Sequence, residues 1–147
     1  MKHLMAFLSF AVATGLASAA DVAGTVKSVK GSVNIERSTQ QLAAAVGDKI
    51  FASDRITTGT DSAVGITLRD NTLLSAGPNS VLNLDKFTFD PTTHAGAVDA
   101  TIVRGTLGVI SGKIAKTTPD SVRFRTPTVT LGVRGTEFVV EVEEAKD

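Results

Sequence analysis

From Gly24 onwards, glycines punctuate the chain at short intervals (Gly24, Gly31, Gly47, Gly59, Gly65, Gly77, Gly96, Gly105), with brief runs rich in Val, Ile, Leu and Thr between them. Runs of this length are too short for stable helices, which need roughly 12–15 residues to offset nucleation. Strands of about five residues bounded by turn residues are ordinary. The rhythm therefore predicts an all-β chain of many short strands. Alternation places them at residues 22–29, 32–36, 49–51, 55–57, 63–68, 72–75, 81–89, 97–103, 106–110, 122–125, 129–133 and 137–143. Only residues 40–46 carry helical propensity, and so short a piece reads as a loop or single turn. Reversals fall at Asp70-Asn71, Gly77-Pro78-Asn79-Ser80, Asp90-Pro91 and Thr118-Pro119-Asp120.

Strands so short and numerous suit a twisted β-solenoid-like or a sandwich-like single domain, or a barrel, equally well. Gly-x-Val or Gly-x-Leu recurs at Gly24-Thr25-Val26, Gly31-Ser32-Val33 and Gly105-Thr106-Leu107, and Gly132-Val133 begins in the same way. A loosely wound solenoid would produce that recurrence, and so would chance in a chain rich in Gly and Val.

Residues 1–20 read as a signal peptide. Lys2 and His3 precede an apolar run from Leu4 to Leu16, and Ala17-Ser18-Ala19-Ala20 supplies small residues for cleavage after Ala19 or Ala20. The run is shorter than the roughly 20 apolar residues of a spanning helix, so no stable membrane span is expected after cleavage. Residues 21–147 are enough for one domain and too few for two. With no Cys and no Trp or Tyr, the core of this domain must rest on Val, Ile, Leu and Phe, which suits a bacterial envelope location, periplasmic or secreted. Fifteen basic residues balance 15 acidic ones, and the leader removes only Lys2. That leaves no whole-molecule electrostatic case for nucleic acid or an anionic membrane.

Catalytic machinery is thin. His94 is the only histidine beyond the leader, which rules out a multi-histidine metal site, and no Cys is present to supply another. No Gly-x-Ser-x-Gly element appears, and no serine has an evident base. Asp48, Asp54, Asp61 and Asp70 cluster in sequence but match no metal loop, so they read as turn-holding residues. The chain is therefore expected to be no enzyme, with no cofactor and no metal. Its last third is polarised in charge. Arg104, Lys113, Lys116, Arg123, Arg125 and Arg134 face Asp120 alone, and acids dominate from Glu137 on. Such a layout steers a charged partner or neutralises itself. For most of these residues the second reading is adopted, with Arg134 or Arg125 paired to Glu137 or Glu141.

Residues 126–138 read as a strand, a glycine-flanked arginine and a second strand, with Phe138, Val140 and Val142 inside and Glu137, Glu141 and Glu143 outside. The chain carries in order Gly24-Thr25-Val26, Gly31-Ser32-Val33, Gly47-Asp48-Lys49-Ile50, Asp54-Arg55-Ile56-Thr57-Thr58-Gly59 and Leu68-Arg69-Asp70-Asn71-Thr72-Leu73. Gly77-Pro78-Asn79-Ser80, Arg104-Gly105-Thr106-Leu107 and the closing Thr126-Pro127 to Val133-Arg134-Gly135-Thr136-Glu137-Phe138 follow. In the order and spacing of these motifs the chain resembles the FecR family domain.

The resemblance implies a twisted, solenoid-like all-β periplasmic domain. In founding members it senses the loaded state of an outer-membrane iron-siderophore transporter and controls a sigma factor. Those regulators also carry a cytoplasmic sigma-binding segment and a membrane helix. Here a signal peptide stands in their place, so the expectation is a free-standing exported binding or sensory module. Its partner would be an envelope or outer-membrane protein, met at an exposed sheet edge. A glycan-binding or structural cell-surface domain is the alternative, weakened by the lack of Trp and Tyr platforms. The resemblance further implies that Thr126, Pro127, Gly132, Val133, Arg134, Gly135, Thr136 and Phe138 form a structural clasp. In it Arg134 would hold backbone carbonyls or Glu137 rather than a ligand.

Overall fold

In a computed structural model, which describes residues 22–132 and 136–143, four long antiparallel runs form the body of the fold. The expected leader, residues 1–20, lies outside the described residues. The first run is β1 (Val22–Lys30) and β2 (Val33–Arg37). The second is β5 (Arg55–Thr58) and β6 (Ala63–Leu68), and the third is β7 (Leu73–Ala76) and β8 (Val81–Phe89). The fourth is the single strand β9 (Gly96–Ile110).

Each run keeps its neighbours in both halves, but the ladders break midway. Lys30 pairs with Ala63 and Val33 with Thr58, Val64 pairs with Ala76 and Thr57 with Val81, and Leu107 pairs with Ala76 but Arg104 with Val81. The sheet is thus creased across its middle and curled like a half-barrel. β4 (Lys49–Phe51) extends one half beside β1, and β3 (Gln40–Ala43) extends the other beside β2. On the far side β12 (Glu137–Val142) pairs with the C-terminal part of β9. There too, β10 (Val122–Arg125) runs parallel to the N-terminal part of β9 and carries β11 (Thr130–Gly132).

Alternation explains why the two halves close on each other. In β6, Val64, Ile66 and Leu68 point inward while Ala63, Gly65 and Thr67 face out. Ala23, Val26, Ile50, Leu74, Leu107 and Val109 from one half meet Ile35, Ile56, Leu82, Leu84, Ile102 and Phe124 from the other in one core cluster. Fully burying each larger side chain contributes about 1.5–3 kcal/mol. The all-β expectation holds, in the form of one curled, half-barrel sheet.

Hydrogen bonds run along the crease. Gly59 N–H donates to Ser32 O at 2.9 Å, Asn79 N–H to Gly59 O at 3.0 Å and Gly77 N–H to Thr106 O at 3.0 Å. Buried Thr58 donates its hydroxyl to Gly77 O at 2.6 Å and accepts Ser80 N–H at 2.8 Å. The bends need left-handed backbone, supplied by Gly31 at φ 69° and Gly105 at φ 91°.

Three local expectations need correction. Residues 97–103 and 106–110 are one strand, because Gly105 bends β9 without ending its ladder. Gln40–Ala43 is strand rather than loop, since a turn with Ser38 at φ 55° brings it back onto β2. The helix lies elsewhere, at α1 (Lys113–Thr117), where fully buried Ile114 plugs the core. Asp70 holds α1 from a distant turn: its carboxylate accepts Ile114 N–H at 3.2 Å and its main-chain oxygen accepts Lys113 N–H at 2.8 Å.

Candidate functional site

Thr126-Pro127-Thr128-Val129 forms the turn of the β10–β11 hairpin, with Arg125 opposite Thr130. Proline presets the backbone for the second position of such a turn. The Thr126 hydroxyl accepts Val129 N–H at 3.0 Å, and Thr126 N–H donates to Val129 O at 2.8 Å. Behind the turn, fully buried Phe124 meets Phe138 edge-on, with ring centroids 5.3 Å apart, so hairpin and β12 share one aromatic contact. Thr136 O accepts Ser111 N–H at 2.7 Å at the start of β12. Gly132 ends β11, and Val133, Arg134 and Gly135 lie outside the described residues.

Beside this hairpin the ladder on β9 is interrupted. β10 reaches no further than Thr101 and β12 no further than Gly105, so residues 102–104 have no strand on that side among the described residues. An open groove of about 690 Å³ occupies the gap. Val103 and Arg104 form its floor, Thr126, Pro127, Thr128, Val129 and Leu131 one wall, and Glu141, Val142 and Glu143 the other. Half of this lining is apolar, and Val129 stays 51% exposed at the rim. The arrangement supplies apolar pockets and acidic side chains beside an interrupted ladder, which is equipment for holding an extended chain.

The structure brings Thr126 and Pro127 into the groove and puts Phe138 behind it. Sequence reasoning singled out this segment but missed the other wall, because Val103 and Glu141 to Glu143 meet it only through strand pairing. The one available signal was Val129, a large apolar residue next to a turn. Arg125 does not pair with Glu137 or Glu141 as expected. It lies 3.8 Å from Asp99, the neighbour that parallel pairing of β10 on β9 provides.

The other candidates serve the scaffold. Buried Asp54 accepts two bonds from Arg37, Nε at 2.9 Å and Nη2 at 2.7 Å, and one from Phe51 N–H at 2.8 Å. The hydrogen bond to Asp54 raises the Arg37 pKa above its ordinary value. Asp48 accepts Ala45 N–H at 2.8 Å, and Asp61 occupies a left-handed turn position at φ 53°. His94 stacks on Phe89 at 6.1 Å in the β8–β9 turn. There Asp90 accepts Thr92 and Thr93 N–H, and those bonds hold its carboxyl below the usual range. Among the described residues no three His, Cys, Asp or Glu side chains converge to hold a metal ion. None of the described phenylalanines is exposed, so no open aromatic platform for a sugar is presented.

One family description, FecR protein, matches residues 54–147. The match opens at Asp54 and takes in the crease from β5 onwards, the hairpin turn and both walls of the groove. No curated protein and no solved structure matches the chain.

Proposed function

The chain belongs to the FecR protein family, and from that premise we propose that it is an exported binding or sensory module that docks on an envelope protein. FecR is a family of signalling regulators rather than of enzymes. The observation that carries the docking is the groove, where apolar Val103, Val129, Leu131 and Val142 line the space between β10 and β12. An extended segment of the partner laid there gains apolar contact from these pockets and charge selectivity from Glu141 and Glu143. The leader-like residues 1–20 support a periplasmic or secreted location.

A photo-crosslinking amino acid placed at Val129 tests the reading in intact cells. A saturable adduct with one envelope protein, identified by mass spectrometry and lost when Leu131 is changed to Arg, is the expected result. Adducts spread over abundant proteins without saturation would overturn it.

A further inference from the structure

A second surface lies on the outward face of the half built from β4, β1, β6, β7, β9 and β12, and meets the groove only at Glu141. Pairing aligns its residues in levels across the strands. One level runs Lys49, Thr25, Thr67, Leu73, Ile110, Glu137. Lys49 Nζ reaches Thr25 Oγ1 at 3.5 Å, which places both on this face. The next level runs Ser28, Gly65, Ser75, Gly108, Val139. Beyond it Lys30 stands beside Ala63 at one side, and Glu141 beside Thr106 at the other.

Two properties arise from this register. The field between the margins carries no charge and leaves Leu73 and Ile110 39% and 44% exposed, while Val139, 69% exposed, sits between the two glutamates on β12. Its margins are opposite in sign, lysine along β1 and β4 and glutamate along β12. A second copy turned about an axis parallel to the strands exchanges left and right margins while keeping each residue at its own level. Glu137 then faces Lys49, Glu141 comes within one strand of Lys30, and Leu73 and Ile110 lie over Thr67 and Thr25.

We infer that this face is a self-association surface for a second copy of the chain, with the two-fold axis along the strands. Charge selects that geometry. A two-fold across the strands sets Glu137 and Glu141 against their own copies, and so does edge-to-edge pairing of two β12 strands, and like charges in register are unfavourable. Stacked sheets pack aligned within about 30° of each other, an offset that long lysine and glutamate side chains span. Small residues at Gly65, Ser75 and Gly108 let the two sheets approach closely.

Analytical ultracentrifugation of the chain without residues 1–20, from micromolar to millimolar concentration, tests the inference. The wild type is expected to dimerise. Glu137→Lys with Glu141→Lys, or Lys30→Glu with Lys49→Glu, should each weaken self-association about tenfold or more. Mixing those two variants should restore association as a heterodimer, with circular dichroism unchanged throughout. A wild type that stays monomeric at every concentration overturns the inference. So does a dimer indifferent to both reversals, or a pair of reversed variants that do not combine. Glu141 also lines the groove whereas Lys30 and Lys49 do not, so the lysine reversal, measured beside the crosslink from Val129, separates self-association from docking.

Discussion

The hydroxyls of Ser62 and Ser80 hold equivalent places on either side of the crease: each accepts the main-chain N–H of the residue after a left-handed glycine. Ser32, after Gly31, donates to Ser62 at 2.9 Å, and Thr106, after Gly105, donates to Ser80 at 3.0 Å. Each serine also donates to the carbonyl two residues back, Thr60 or Pro78, and each comes directly after a left-handed Asp61 or Asn79. Gly59-Thr60-Asp61-Ser62 and Gly77-Pro78-Asn79-Ser80 are therefore two copies of one corner.

Removing either hydroxyl strands a main-chain donor in the crease, because Ser62 and Ser80 are 1% and 2% exposed. Ser62→Ala and Ser80→Ala should each lower stability by about 1–3 kcal/mol. Urea denaturation should show shifted midpoints with an unchanged slope. Loss of less than about 0.5 kcal/mol in both would mean that water satisfies these donors from outside.

Gly105 and Gly47 separate crowding from backbone strain, since both sit in the left-handed region, at φ 91° and φ 96°. A side chain at Gly105 would run into Ser80, whereas nothing lies within 4 Å of Gly47. Gly47→Ala should therefore cost only the conformational penalty, about 1–2 kcal/mol. Gly105→Ala adds a steric clash in the crease, and thermal melts should show it to be clearly the worse of the two.

How much of the fold was legible in the sequence depends on how far apart the deciding residues lie. β6 and β10 are plain because their inward and outward residues alternate within one segment. Whether Gly105 ends a strand or bends it is decided by β7 and β8, which continue past it as one run. Alanines in residues 40–46 favour helix locally, yet pairing with β2 overrides that preference. α1 has no pattern of its own, being fixed by Asp70 and by Ile114 in the core. At the site, the Thr126-Pro127 turn is readable, whereas its opposing wall arises from β12 meeting β9. The Gly-x-Asp/Asn-Ser likeness between the two corners was present in the sequence and could have announced the crease.

Arg37 and Asp54 form a second lock, at the corner leading into β5. The guanidinium also lies over the Phe51 ring at 4.5 Å and donates to Lys49 O at 3.1 Å. Arg37→Met leaves a carboxylate 1% exposed with Phe51 N–H as its remaining donor and should cost about 2–4 kcal/mol. The cost is tempered because Arg37 itself is 35% exposed. Arg37→Lys should recover little, because a point charge cannot reproduce the two-pronged bond or the ring stacking. Full recovery by lysine in urea titrations would show that charge alone matters there.

Asp90 sets a pH dependence confined to the β8–β9 turn. Its pKa is lowered by hydrogen bonds from Thr92 and Thr93 N–H, with His94 adding a smaller effect. A carboxyl whose pKa falls on folding stabilises the fold above its unfolded pKa, and that stabilisation disappears as pH drops through the folded value. Amide exchange at Thr92 and Thr93 should therefore accelerate only below the ordinary carboxylate range. Asp90→Asn keeps an acceptor and should flatten the profile; an unaltered profile would point to another titrating group.

Phe124 and Val129 lie on the same hairpin and should part company when stability and docking are measured together. Phe124 is fully buried against Phe138, so Phe124→Ala opens a cavity and should cost about 3–5 kcal/mol. Docking would then be lost only through unfolding. Val129 is 51% exposed on the groove wall, and Val129→Lys should change stability by no more than about 0.5 kcal/mol. If the groove takes an extended partner segment, that variant should abolish the crosslink formed from a probe at Thr128 while its melting curve matches the wild type. A crosslink that survives Val129→Lys would move the docking surface off this wall and leave the hairpin with a structural role alone.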